Sequence, residues 1–265
     1  MLRNSMPYRR RKAAKMSGRR ALLLFTAASL GAVVLLAVGC GLYRGMCRSS
    51  FFRLATVEVT GRQRTTERQI IEAGGIELHS SLLTLSVDKI CRNIEKLPWI
   101  EHVEIQRDWP GRIVIKVRER QPVALANVAG VLHYMDGSGV VFSKVSPEDD
   151  HDFPVISGLG QKYLTMKEPE EAVQSALQFL RYVRRNDPVL PRQNISEIAI
   201  QPAGDLVVYL ADRPFPIYLG CDRMESSYYR LVKVLSWLYR KKEFEFTEYI
   251  RLDYLPEKVL VGKAT

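Results

Sequence analysis

An α+β fold carried on a single membrane-spanning helix is what this sequence predicts, and three observations predict it. Ala21–Tyr43 is a run of 23 residues without a charge. A β-α-α-β-β succession follows within about 70 residues. The second half is rich in alternating, strand-like segments and holds two amphipathic helical stretches.

The apolar run comes first. At 1.5 Å rise it spans about 34 Å, enough for a hydrocarbon core of about 30 Å. Residues 1–48 hold ten Lys/Arg and no Asp or Glu, and eight of the ten precede the run. That asymmetry places the N-terminus in the cytoplasm and residues 44–265 outside. A signal-peptide core runs about 7–15 residues, so an uncleaved anchor is expected. Ala37-Val38-Gly39-Cys40 approaches a lipoprotein cleavage box, but Ala37 stands where a larger aliphatic residue is usual.

The next elements build a compact unit. Ala55–Thr60 alternates and stops at Gly61, a first strand. Thr65-Thr66-Glu67 opens a short helix that ends at Gly74-Gly75, and Ser86 opens a second with the stripe Val87, Ile90, Cys91, Ile94. A hairpin over 101–119 follows. Val103 and Ile105 face one way, Glu104 and Gln106 the other; Ile113, Ile115 and Val117 repeat the pattern opposite Val114, Lys116 and Arg118. Asp108-Trp109-Pro110-Gly111 supplies the reversal. Trp99 and Trp109 are expected to pack rather than to bind.

Pro122 marks a boundary. Beyond it the pattern predicts a strand over 124–128 and a hairpin around Asp136-Gly137-Ser138-Gly139. Glu170–Arg185 reads as a helix with Val173, Ala176, Leu177, Leu180 and Val183 inward. A hairpin follows over 195–210, then a strand over 215–219. A second helix from Asp222 carries the stripe Tyr228, Leu231, Val232, Leu235, Leu238, Tyr239. Glu248–Tyr254 and Lys258–Val261 form a last pair of strands around Pro256, with Ile250, Leu252 and Tyr254 on one face and Arg251 and Asp253 on the other. A strand pair closing the chain is a natural sheet edge, whose open N–H and C=O groups can accept another chain. The expected limits are a basic tail over 1–20, the span over 21–43, a linker over 44–50, and domains over 51–120 and 121–265.

Charge and chemistry narrow the function. The formal net charge is +10, yet the whole excess flanks the span, and the residues after 48 are balanced at 29 basic and 29 acidic. The basic head therefore suits anionic lipid, not nucleic acid. His79, His102, His133 and His151 show no metal-ligand spacing, and Asp149-Asp150-His151-Asp152 reads as a solvated loop. Gly137-Ser138-Gly139 lacks the flanks of a nucleophile elbow and reads as a turn. Glu119-Arg120 reads as an exposed ion pair. Cys40, Cys47, Cys91 and Cys221 form no framework, so neither a disulfide nor a cofactor is called.

The hairpin then places the chain. Val57-Glu58-Val59-Thr60-Gly61, Leu82-Leu83, Leu97-Pro98-Trp99-Ile100, Arg107-Asp108-Trp109-Pro110, Val117–Ala124, Asp136-Gly137-Ser138-Gly139 with Phe142, and Pro154-Val155-Ile156-Ser157-Gly158 follow in an order that resembles the FtsQ/DivIB family. The resemblance covers roughly residues 20–262 and implies a POTRA domain followed by a β domain. It implies a non-enzymatic scaffold of the bacterial divisome in the inner membrane, concentrated at the septum. The implied partners are FtsB-like and FtsL-like proteins, bound by strand addition at the C-terminal strands. The implied contact residues are Ile250, Arg251, Leu252, Asp253, Tyr254, Val259, Leu260 and Val261. The family commonly has Asp-Leu-Arg-Tyr where this chain has Arg251-Leu252-Asp253-Tyr254, so its arginine contact is not carried over. Two other readings stand beside this one. One is a POTRA-containing assembly or secretion factor, against which the roughly 140 residues after Pro122 are too few for a large barrel. The other is an anchored cell-wall enzyme, for which no catalytic constellation is visible.

Overall fold

The computed structural model describes residues 18–149, 152–166, 168–183, 187–221, 223–255 and 258–264. Helix α1 (Gly18–Arg48) contains the apolar run. Its window Ser29–Met46 has a mean hydropathy of 1.5 with nothing packed on it, and α1 is the one helix among the described residues long and apolar enough to cross a membrane. The tail before Gly18 lies outside the described residues.

A three-stranded sheet in the order β1-β3-β2 follows, from β1 (Thr56–Thr60), β2 (Ile100–Asp108) and β3 (Arg112–Glu119), with α2 (Glu67–Gly74) and α3 (Val87–Ile94) between β1 and β2. Helix α2 starts within the expected Thr65-Thr66-Glu67 opening. Thr66 is the N-cap, and with Gln69 it closes a reciprocal capping box that satisfies donors the first turn leaves open.

The chain groups into two compact units. One is the chain up to Glu58 with Ile76–Lys89 and Ile105–Ile115; the other is Val59–Gly75, Ile90–Glu104 and everything from Lys116. In the first, Leu54, Leu82, Ile113 and Ile115 are buried. The Ala55 N–H donates to the Gly111 carbonyl at 2.7 Å, which ties the hairpin turn to the start of β1. Trp109 packs edge-on to Phe52, centroids 5.8 Å apart, yet stays 49% exposed. Its packing is therefore partial.

The second unit holds a nine-stranded sheet in the order β12-β11-β10-β9-β8-β7-β4-β5-β6. Its strands are β4 (Pro122–Val128), β5 (Val131–Asp136), β6 (Val141–Lys144), β7 (Val155–Leu159), β8 (Ile195–Ile200), β9 (Leu206–Leu210), β10 (Ile217–Gly220), β11 (Thr247–Leu255) and β12 (Lys258–Lys263). Pairs β4–β7, β7–β8 and β10–β11 are parallel. Parallel neighbours need a crossover: β5 and β6 lie in the first, and the helices α4 (Glu171–Val183) and α5 (Met224–Lys241) supply the other two. Strands β8–β9 and β9–β10 are antiparallel, so β7, β8, β10 and β11 all run the same way. Both helical crossovers step in the same direction along the sheet, so the preferred right hand puts both helices on one face. There Val173, Phe179, Tyr228, Leu231, Leu235 and Leu238 close the core over Ile156, Ile198, Val208, Ile217 and Ile250. The expected helix caps at Asp222 and the basic end at Arg184-Arg185 lie outside the described residues, as does Pro256.

Candidate partner-binding edge and the braced junction

Strand β12 is one of the two edges of the nine-stranded sheet, β6 being the other, and β11 lies inside it, hydrogen-bonded on both sides. The sequence-based expectation of open backbone groups on the last pair therefore narrows to β12. The antiparallel register sets Ile250 opposite Val261 and Arg251 opposite Leu260. Side chains alternate across a strand, so each pair shares a face. On the helix-covered face Ile250 and Leu252 are 0% and 2% exposed, and Val259 and Val261 pack against the core. The Ile250 and Leu252 side chains are thus interior groups that hold β11 in place.

On the open face, Leu260 opposite Arg251 is 50% exposed. Tyr254, near the end of β11, is 74% exposed. Arg251 lies 4.7 Å over the Tyr218 ring and donates to both carboxylate oxygens of Asp253, at 3.1 and 2.7 Å. The two charges exchanged relative to the common family order thus still pair with each other along one strand. The bond to Asp253, with its charge, raises the Arg251 guanidinium above its ordinary value. At Gly262 a Cβ would lie 2.2 Å from the Tyr249 ring, so glycine is what lets that ring lie flat on β12.

A second constellation, entirely within the second unit, escaped the sequence reading. Glu119 is 5% exposed and accepts the Arg64 N–H at 2.8 Å and the Thr65 N–H at 2.7 Å. Burial pushes its carboxyl up, but those backbone donors outweigh it and hold the group below its ordinary value. Arg120 does not pair with Glu119: its guanidinium meets Asp136 at 2.7 Å. The expected exposed Glu119–Arg120 pair is therefore two separate anchors. The signal was legible, because Glu119 continues the inward parity of Ile113, Ile115 and Val117.

Asp136 also organises its own turn. Its other oxygen accepts the Ser138 and Val140 N–H groups at 2.9 and 3.1 Å and the Ser138 hydroxyl at 2.6 Å. The Asp-Gly-Ser-Gly segment is a turn, as expected, and Gly139 closes it at φ +89. The Tyr163 hydroxyl donates to the Gly139 carbonyl at 2.9 Å, and burial pushes that phenol up to about 12.

Arg64 completes the junction. Its guanidinium lies 4.5 Å over Trp99 and 3.6 Å from Asp149. Trp99 stands 5.1 Å from Tyr134 and 5.0 Å from Phe142. So Asp149, expected in a solvated loop, is docked; Asp150 and His151 lie outside the described residues. Among the described residues no group of His, Cys, Asp and Glu could hold a metal, and Cys40, Cys91 and Cys221 form no disulfide.

Residues 52–120 match the family model of the FtsQ-type POTRA domain, and residues 124–253 match that of the cell division protein FtsQ/DivIB C-terminal region. A cell division protein FtsQ of Geotalea daltonii is 30% identical over 240 residues, covering 88% of this chain and 85% of that one. The chain belongs to the FtsQ/DivIB family of cell division proteins. FtsQ of Geobacter sp. strain M21 is 30% identical over 248 residues, 91% of this chain and 89% of its own. FtsQ of Syntrophotalea carbinolica is 30% identical over 239 residues, 89% and 81%. The FtsQ/DivIB match stops at Asp253, so Tyr254 and β12 lie past its end.

Proposed function

We propose that this chain is a bitopic inner-membrane scaffold of the bacterial divisome, a binding protein and not an enzyme. Residues 51–120 serve as the POTRA domain and 121–265 as the β domain, both periplasmic and concentrated at the septum. The basic tail over 1–20 rests on anionic lipid. Partners are FtsB-like and FtsL-like proteins, held by strand addition on β12, with no nucleic acid and no small-molecule substrate.

The observation that carries this reading is the free edge of β12 beside exposed Leu260 and Tyr254. An edge strand offers a row of N–H and C=O groups to an extended segment, and neighbouring apolar side chains select its residues. Of the eight residues expected at the contact, Tyr254, Leu260 and the β12 backbone carry it. Val259 and Val261 support the edge from below, and Arg251 and Asp253 are spent on each other. Calorimetry of the full chain in detergent against the extracytoplasmic segment of its FtsB-like partner tests this. Tyr254→Ala and Leu260→Asp should each weaken binding about tenfold, and unchanged affinity in both removes the site. In cells, depletion should give filaments and the tagged chain should gather at mid-cell. Even membrane distribution with normal division would sink the divisome role.

A further inference from the structure

We propose that the outward face of α5 is a second docking surface, fitted to an acidic amphipathic helix of a partner protein. Helix α5 turns Leu231, Leu235 and Leu238 into the core. Its opposite face presents Tyr229, Lys233, Trp237 and Lys241, one every four residues. Tyr229 is 52% and Trp237 42% exposed. Arg240 is exposed beside them.

Charge on this face is segregated. From Tyr229 to Lys242 the chain has five basic residues (Arg230, Lys233, Arg240, Lys241, Lys242) and no acidic one, whereas the part of the chain after residue 48 is balanced. The acids at the two ends do not cancel the stripe. Glu225 sits in the first turn, and Glu243 is taken by Lys263 at 2.7 Å. Lys263, so paired, also lies 5.5 Å from the Trp237 ring.

The spacing and the rings choose the partner. Residues four apart form a ridge, and a ridge of about 18 Å along α5 fits the groove of another helix. Acidic residues on that helix would meet the Lys and Arg heads, and an apolar residue would cover Trp237. A lipid surface fits less well. Interfacial helices sink a continuous apolar face about 5–10 Å into the bilayer boundary. The apolar face of α5 is already spent on the core, leaving two rings separated by basic residues.

The test places a photo-reactive benzoylphenylalanine at Tyr229 of the full chain in living cells. Mass spectrometry should find it joined to a protein segment of net negative charge with acidic residues at helical spacing. The Lys233→Glu/Arg240→Glu chain should lose at least tenfold of that yield with its thermal unfolding unchanged. The Leu260→Asp chain, altered only at the β12 edge, should keep it. Capture of lipid alone, of a neutral or basic segment, or of nothing would overturn the proposal, as would a yield indifferent to charge reversal. Loss of the cross-link in the Leu260→Asp chain would assign the capture to the edge partner and remove the second surface.

Discussion

The junction around Glu119 and the edge around β12 both carry charged side chains, and they use them in opposite ways. At the junction each described charge is bonded across sequence. Glu119 receives the backbone of Arg64 and Thr65, Arg120 reaches Asp136, and Arg64 lies between Trp99 and Asp149. At the edge Arg251 is bonded to Asp253, two residues along its own strand, and the exposed groups are Tyr254 and Leu260. A buried carboxylate is tolerated only where donors replace its water. An exposed strand pair costs little to keep and contributes little. The junction is therefore built for stability, and the edge leaves its apolar groups free to be covered.

That contrast can be broken by measurement. The largest effect is expected from Glu119→Ala, which orphans one buried and one part-buried N–H group and should cost about 3 kcal/mol of unfolding free energy. A loss below about 1 kcal/mol in urea titration would mean water replaces the carboxylate. Trp99→Ala comes next, at about 2 kcal/mol, because the ring is only half-buried but lies against Arg64, Tyr134 and Phe142. Acid should act through the same carboxylate. Its folded value lies below its unfolded one, so its contribution is complete above the unfolded value of about 4.3 and fades as pH falls through the lower folded value. Urea midpoints from pH 6 down to pH 3 should fall less steeply in Glu119→Gln than in the parent chain. Equal slopes would assign acid sensitivity elsewhere. The smallest effect on stability is expected at the edge: Tyr254→Ala should change unfolding by less than about 0.5 kcal/mol while weakening the partner. A large destabilisation there would make Tyr254 structural and erase the contrast.

Much of the fold was legible because local patterns and tertiary burial agree. The parity of Ile113, Ile115 and Val117 and the stripe of α5 point at the core that the structure builds. The candidate site was legible only as a segment. Period-two alternation put Ile250, Leu252 and Tyr254 together, yet two of them are core and the third is mostly exposed. The ladder register between β11 and β12 shifts between Arg251 and Leu255, where simple alternation no longer predicts a face.

By itself the sequence determined the long apolar helix, the element order, the inward faces and the family likeness. All of these depend on residues near one another in the chain or on a motif order that survives without coordinates. Only the tertiary structure decided which strand is the edge, that Glu119 answers to Arg64 and Thr65 rather than to Arg120, and that Arg251 is closed off by Asp253 and Tyr218. Those outcomes depend on which strands pair and on where desolvation leaves a charge in need of a partner. Neither is encoded in spacing along the chain.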